Sequence, residues 1–360
     1  MATTFGDASA PSQKTINLDA LFATSLAKYR PKLIDNIGRM DALVAKIMSN
    51  GMYESVDGGT NIEEMVLHEL ATGHSYDGYD TLDVSPVDGV TRSIWEWRQV
   101  AIPIAISGKE QIQNKQKIVS LIKTKIMQAE VGIKQLISDM IYQGNGAAAL
   151  ATPKVDALNG SSGIEPLAKL VALDPTTSTS IGNINQSTST FWQNKTKNSS
   201  ATTTTAFLQE ILNLYNTCNR GSGTQPADLL VTDQITFELI QMSLYHRARQ
   251  DVTTDQSFPF DNIKWKRALI VWDENMHDVT GGTLDATAAG AEGTLYVLNT
   301  QFIKLIYESS RNFVMSGEKI PVNQDAFVRH ILWMGNMIVN NRRKHGVLAS
   351  IARSLTVGDA

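Results

Sequence analysis

The side chains able to do chemistry are few in this sequence, and their spacing does not suit it. His68, His74, His246, His277, His330 and His345 are scattered through the chain. His68 and His74 are six residues apart and do not have the spacing or carboxylate pattern of a zinc motif. The single cysteine, Cys218, falls on the apolar stripe of an amphipathic segment, where a thiol acts as a small hydrophobe rather than a nucleophile. One cysteine also excludes an internal disulfide framework and a multi-cysteine metal centre. The neighbouring acids Glu63-Glu64 and Asp273-Glu274 read as solvated turns, because adjacency along a chain does not make a facing catalytic pair. There is no phosphate-binding glycine loop, no G-x-G-x-x-G after a strand and no G-x-S-x-G elbow. The expectation is a protein with no catalytic residue, no cofactor and no metal. Two basic runs, His246-Arg247-Ala248-Arg249 and Arg342-Arg343-Lys344-His345, read as solvated faces or contacts with a neighbouring subunit. A net charge of −4 gives no strong field for nucleic acid.

The elements that must carry these residues are organised around Ser107–Gly146. Ile118, Ile122, Ile126, Ala129, Ile133, Leu136 and Met140 recur in steps of three and four, the period of an α-helix with one apolar stripe. Gln113, Lys117, Thr124, Gln128, Gln135 and Asp139 fall opposite. Ser107 and Glu110 have the spacing of a capping box, Glu130 precedes Lys134 in the favourable order for a helix pair, and Gly144 and Gly146 end the run. Such a helix is about 50 Å long, longer than an ordinary small domain is wide. A helical bundle also uses helices of this length, but few other stretches here are helical. Gly132 in its middle predicts a close contact or a slight bend. The chain has 360 residues, enough for two or three domains with real cores. No apolar run approaches the roughly 18 residues of a membrane helix, and the first residues lack the pattern of a signal peptide, so assembly in a reducing cytoplasm is expected.

Leu18–Met48 reads as two short helices broken at Pro31 and near Gly38, too poor in apolar residues for a core of their own. Ile62–Glu69 and the stretch from Ser93 to Gly108 read as strands. Between them, residues 71–92 are rich in Gly, Asp, Ser and Thr. Two strands flanking a polar excursion make a protruding hairpin. Tyr76, Tyr79, Leu82, Arg92, Trp95 and Trp97 are the candidate contact residues on it, because exposed aromatic rings are costly in water. Leu170–Leu173 reads as a strand, and the Ser/Thr/Asn-rich run from Thr176 to Thr205 reads as an ordered loop, punctuated by Ile181, Ile184, Phe191 and Trp192. Phe207–Cys218 is an amphipathic helix, Asp228–Val231 a buried strand, Thr232-Asp233 the cap of a helix to about Arg249, and Trp265–Trp272 another strand: a compact α/β unit. Leu295–Glu308 and Val328–Asn340 are long and β-rich.

These phrases form an ordered series: VDGG at 56–59, SYDGYDTLD at 75–83, WEWRQ leading into AISGKE and the long helix, then LDPTTSTSIGNINQSTSTFWQN, FDNIKWKRALIVWDEN, LYVLNTQFIKLIYES and NQDAFVRHILWMGNMIVNNRRKHGVL. The series resembles the major capsid (coat, or major head) proteins of tailed bacteriophages over about residues 20–350. The resemblance implies an α+β fold: an N-terminal arm (1–55), an extended β-hairpin loop reaching over an adjacent subunit (56–107), a peripheral domain with a long spine helix (108–205), an α/β axial domain (206–294), and the long strands of the peripheral domain with the C-terminal segment (295–360). It implies a structural subunit that self-assembles into hexamers and pentamers of an icosahedral head in the virion. It also implies separate scaffold, portal and decoration proteins and packaged double-stranded DNA, met weakly through Lys117, Lys123 and Lys134 on the spine helix, with no membrane. A cellular compartment shell of the same fold, enclosing protein cargo, is the alternative. Too few residues precede the arm for a fused scaffold, and no lysine lies between Lys46 and Lys109, so cross-linking from a lysine of the extended loop is not expected.

Overall fold

The computed structural model describes residues 41–69, 73–81, 88–113, 118–143, 163–221, 225–245, 262–276, 278–280, 283–285 and 292–356. The expected helices before residue 41, Leu82, Lys117 and the run His246–Arg249 lie outside these residues.

Two sheets organise the chain. The first is built on β16 (Ala326–Val339). One edge of β16 pairs with β4 (Arg98–Ser107) from Ala326↔Ser107 to Gly335↔Arg98. Its other edge pairs with β14 (Ile303–Glu308) and the short β15 (Val314–Met315), and β14 in turn pairs in parallel with β1 (Tyr53–Val56). Along β4, Val100, Ile104 and Ile106 are buried while Ala101, Pro103 and Ala105 are exposed. This period of two gives the strand one core face. Pro103 is tolerated because β4 pairs only on its other edge.

The chain passes from Ser107 straight into helix. The Glu110 N–H donates to Ser107 Oγ (3.2 Å) and the Ser107 N–H to Glu110 Oε2 (3.3 Å), so the capping box forms as read. The helix is described in two pieces, α2 (Gly108–Gln113) and α3 (Ile118–Gln143). Ile122, Ile126, Ala129, Ile133 and Met140 of the expected stripe are buried, with Leu136 half-buried, on the side where the helix packs on β4. Each such isoleucine contributes about 1.5–3 kcal/mol. Thr124, Gln128 and Gln135 are exposed as read, whereas Glu130 is buried. A Cβ on Gly132 would make only ordinary contact with Ile102, at 3.5 Å, so no close approach requires glycine there.

The second sheet runs β12-β11-β13-β8-β10-β9, with β17 joining β13 to β7. Its centre is β8 (Leu229–Thr232), buried throughout, between parallel β10 (Ala268–Trp272) and antiparallel β13 (Glu292–Leu298). Helices Thr204–Cys218 (α5) and Gln234–Tyr245 (α6) cover it through Phe207, Ile211, Leu214 and Ile240. The outer members of this sheet are β7 (Lys195–Asn198), β9 (Asn262–Trp265), β11 (Asp278–Thr280), β12 (Thr283–Asp285) and β17 (Gly346–Ala352). β7 and β17 lie outside residues 206–294, and β13 crosses position 294.

Two expectations are corrected here. Leu167–Leu170 is a single helical turn (α4) where Leu170–Leu173 was expected as strand, since a short buried apolar run carries no period to separate the two. Trp265–Trp272 is strand from Ala268 onward, but it is not one continuous strand: Trp265 ends β9, and Lys266 and Arg267 turn the chain into β10. Lys266 stands there at φ 56°, with its ammonium over the Tyr215 and Trp265 rings at 5.2 and 5.4 Å, a cation–π contact that favours this conformation. The Ser/Thr-rich run is ordered, as expected. Ile181, Ile184 and Trp192 are buried in it, and the Trp192 indole donates to the Ile181 carbonyl at 2.8 Å.

The first described helix, α1 (Ala42–Ser49), is capped by Asp41, whose Oδ1 accepts the Leu43 N–H at 2.8 Å. That carboxyl is fully inside. Tyr142 of α3 donates to it at 3.0 Å and Ser138 at 3.3 Å, and Asn275, just after β10, donates to Ser138 at 2.9 Å. Asp273 shares the pocket and accepts the Asn275 N–H at 2.9 Å. Burial, then the neighbouring charge of Asp41, pushes Asp273 up to about 8, and burial raises Asp41 as well. In the unfolded chain such carboxyls ionise near 3.8. The stability this pair supplies is therefore fully present below that value and is lost as the pH rises toward about 8. In urea titrations between pH about 5 and about 9, Asp273→Asn is expected to gain on the wild type steadily as the pH rises. Parallel curves for the two proteins would contradict the raised pKa of Asp273.

Candidate assembly surfaces

The protruding hairpin is formed by β2 (Ile62–Leu67) and β3 (Val90–Trp95), in register from Ile62↔Trp95 to Leu67↔Val90. The His68 N–H donates to the Gly89 carbonyl at 2.8 Å, closing the ladder where the polar excursion departs. Near the tip, Asp77–Asp80 makes a tight turn. The Asp77 N–H donates to Asp80 Oδ2 at 2.9 Å, the Gly78 N–H to Asp77 Oδ1 at 2.8 Å, and the Asp80 N–H to the Asp77 carbonyl at 2.8 Å. These are the Asx bonds that favour aspartate in turns.

The six residues expected to bind a neighbour divide. Tyr76 is 66% exposed and Tyr79 fully exposed. Arg92 is also exposed and pairs across the hairpin with Glu63 at 3.0 Å. Leu82 is not described. The tryptophans are a correction, because the chain itself occupies them. Trp95 is buried, its indole donates to Ser93 Oγ at 3.1 Å, and its ring lies on Gly182, where a Cβ would stand 2.9 Å from it. Gly182 sits at φ 59° and accepts the Ile94 N–H at 2.9 Å. Trp97 is half-buried and donates to the Gly59 carbonyl at 2.9 Å. The two rings therefore anchor the root of the finger to its own body. Three residues missed in the sequence, Met65, Leu67 and Val90, form an exposed apolar face with Arg92 on the outward side of the hairpin. The alternation of Met65-Val66-Leu67 was the signal for it.

Beside the far end of the β2–β3 ladder, where the polar excursion departs, is a cleft of about 670 Å³. Leu67, His68 and Glu69 form one wall, and Lys195, Arg220, Arg343 and Lys344 stand on the other. Among the described residues none of these four cations meets a carboxylate within ion-pair reach. Lys344 donates to the Arg220 carbonyl at 2.7 Å, and burial followed by the charge of Arg343 lowers its pKa.

The run Arg342–His345 is corrected as well, since only Arg343 is exposed. Arg342 is completely buried. Its guanidinium donates to the Leu170 carbonyl (2.7 Å), Gln186 Oε1 (3.0 Å), the Trp192 carbonyl (3.0 Å) and Asn194 Oδ1 (2.9 Å). All four acceptors are neutral, and burial lowers its pKa to about 9. His345, also buried, accepts the Asn299 N–H at Nδ1. Burial, and then Arg342, hold it neutral by pulling its pKa to about 3.

Cys218 is buried with its thiol pushed up to about 12, its sulfur packed on Gly346. Among the described residues no group of His, Cys, Asp and Glu is set to hold a metal. On α3, Met127 and Val131 are exposed. The side chains of Lys123 and Lys134, like Lys117 as a whole, lie outside what is described.

No family model matches this chain, and no curated protein does either. Solved structures do match it. The capsid asymmetric unit of cyanophage A-1(L) superposes with a TM-score of 0.64 at 13% identity, covering 87% of this chain and 93% of that one. The capsid of a native GTA particle gives 0.53 at 9% identity, covering 85% and 90%. The encapsulin of the holo-SrpI complex from Synechococcus elongatus PCC 7942 gives 0.53 at 8% identity, covering 87% and 90%. At such identities the likeness is one of fold.

The corner that carries the cleft's cations rests on Arg342. Arg342→Met strips the acceptors of their donor, and a loss of about 3–5 kcal/mol is expected in urea denaturation. Arg342→Lys restores the charge but not the planar fork, so it is expected to remain well below the wild type. A variant as stable as the wild type would refute the role given to the guanidinium.

Proposed function

We propose, from the premise that this chain has the fold of tailed-phage major capsid subunits, that it is a structural shell protein. Copies assemble into hexamers and pentamers of an icosahedral head around double-stranded DNA, and no residue acts as a catalyst. The observation that carries this reading is the finger: a hairpin fastened to its own body by Trp95 and Trp97, holding Tyr76 and Tyr79 out in water with Met65, Leu67 and Val90 bare behind them. Covering each ring on a neighbour is worth about 1.5–3 kcal/mol. A shell sums many such modest contacts, and a contact whose two halves lie on different parts of the subunit closes into rings.

The same reading places the protein in the virion, with separate scaffold, portal and decoration proteins as partners. DNA contact through Lys117, Lys123 and Lys134 is weak and without sequence preference. The encapsulin likeness supports a second reading, a compartment shell around protein cargo, and the contents of purified particles separate the two.

Tyr76→Ser/Tyr79→Ser is expected to fold normally by circular dichroism and thermal melting while yielding few shells by electron microscopy and sedimentation. Wild-type shell yield from that variant would remove the finger from assembly.

A further inference from the structure

We propose that the basic cleft beside the Leu67–Glu69 end of the β2–β3 ladder is the socket for the acidic tip of another copy's finger. This inference rests on the reading of the finger as an arm between subunits and names the surface that receives it.

The socket is defined by charge. Lys195, Arg220, Arg343 and Lys344 come from three separate segments, and only Glu69 opposes them across the cleft. The chain as a whole is acidic, at −4, so four cations without a carboxylate partner among the described residues mark a place where a partner is missing. The crowding is felt within the cleft, where Arg343 helps to lower the Lys344 pKa. Such a site favours an anion, and it is roomy enough to take several side chains, within the range of about 300–1,000 Å³ typical of binding pockets.

The tip is the matching half. From Glu69 to Thr91 the sequence holds the five acids Glu69, Asp77, Asp80, Asp83 and Asp88 and no lysine or arginine. Asp77 and Asp80 are exposed and fixed in a turn by three hydrogen bonds, so the acids arrive already ordered. Tyr76 and Tyr79 flank them and supply apolar surface for the Leu67 side of the socket. Tyr79 of the tip is fully exposed in the single chain and so does not occupy the cleft. Tip and socket are different surfaces of one subunit, which is the head-to-tail relation that generates rings. The attraction is between partly exposed charges and is screened by salt.

The test uses the full-length protein. Arg220→Glu/Arg343→Glu alters two exposed side chains, so its fold is checked by thermal melting alone. Its shell yield at about 0.15 M salt is expected to fall at least tenfold. Asp77→Asn/Asp80→Asn keeps the turn's acceptors, removes its charge and is expected to fall likewise. In a third protein, Gly78→Cys with Asn341→Cys, which lines the cleft and leaves its four cations in place, a short bis-maleimide is expected to join successive copies into ladders ending at pentamers and hexamers, with Cys218 buried and silent.

Wild-type yield from Arg220→Glu/Arg343→Glu, or no ladder from assembled Gly78→Cys/Asn341→Cys shells, overturns the inference. If Tyr76→Ser/Tyr79→Ser still blocks assembly, that result leaves the shell reading standing. Normal shells that lose only their DNA would make the cleft a phosphate site and overturn the inference too. A wild-type chain that never oligomerises sinks the shell reading and this inference with it.

Discussion

The constraint on which the rest depends is the register between β4 and β16. Ten consecutive pairs, from Ala326↔Ser107 to Gly335↔Arg98, hold a strand that leads from the finger's tryptophans at one end to the spine helix at the other. Because side chains alternate between faces, a slip of one residue would expose Val100, Ile104 and Ile106 and bury Ala101, Pro103 and Ala105. The apolar stripe of α3 would then have no floor. One hydrophobic alternation thus fixes both where the finger leaves the body and how the helix lies across the sheet.

Polar burial does the same work where apolar residues are scarce. The segment from residue 163 to 198 holds few large hydrophobes, yet it is folded tightly around Arg342, which gathers acceptors from Leu170, Gln186, Trp192 and Asn194. An uncompensated buried charge is destabilising, and a satisfied one specifies a single arrangement of its partners. This also explains why the outer edge of the second sheet, where β17 pairs with β7, is so well defined: the strand that follows Arg342 is delivered in register by the side chain that precedes it.

What was legible in the sequence was local. Ser107 and Glu110 announced their capping box, and the isoleucine stripe announced the buried face of α3, because both signals lie within a few residues of each other. The α5 helix and the buried strand after Asp228 were legible for the same reason. Apart from the short apolar run at Leu167–Leu170, the misreadings were contacts made at a distance. Trp95 looked like a docking ring because nothing near it reveals Gly182. Arg342 looked solvated because its acceptors lie far back along the chain. The β9–β10 turn carried no glycine or asparagine, and Lys266 is steadied there by Tyr215 of a separate helix. The cleft was illegible altogether, since its walls meet only in the folded chain.

The anchoring of the finger by Trp95 on Gly182 has a kinetic consequence. A subunit whose projecting arm is secured by its own side chains is a finished object before it meets any other. Folding and association are then separate events in time, and the second depends on concentration where the first does not. Shells built from such parts appear after a lag set by how often a complete first ring forms, and grow quickly afterwards. The supply of starting rings, rather than the speed of folding, governs how many particles a given pool of protein yields.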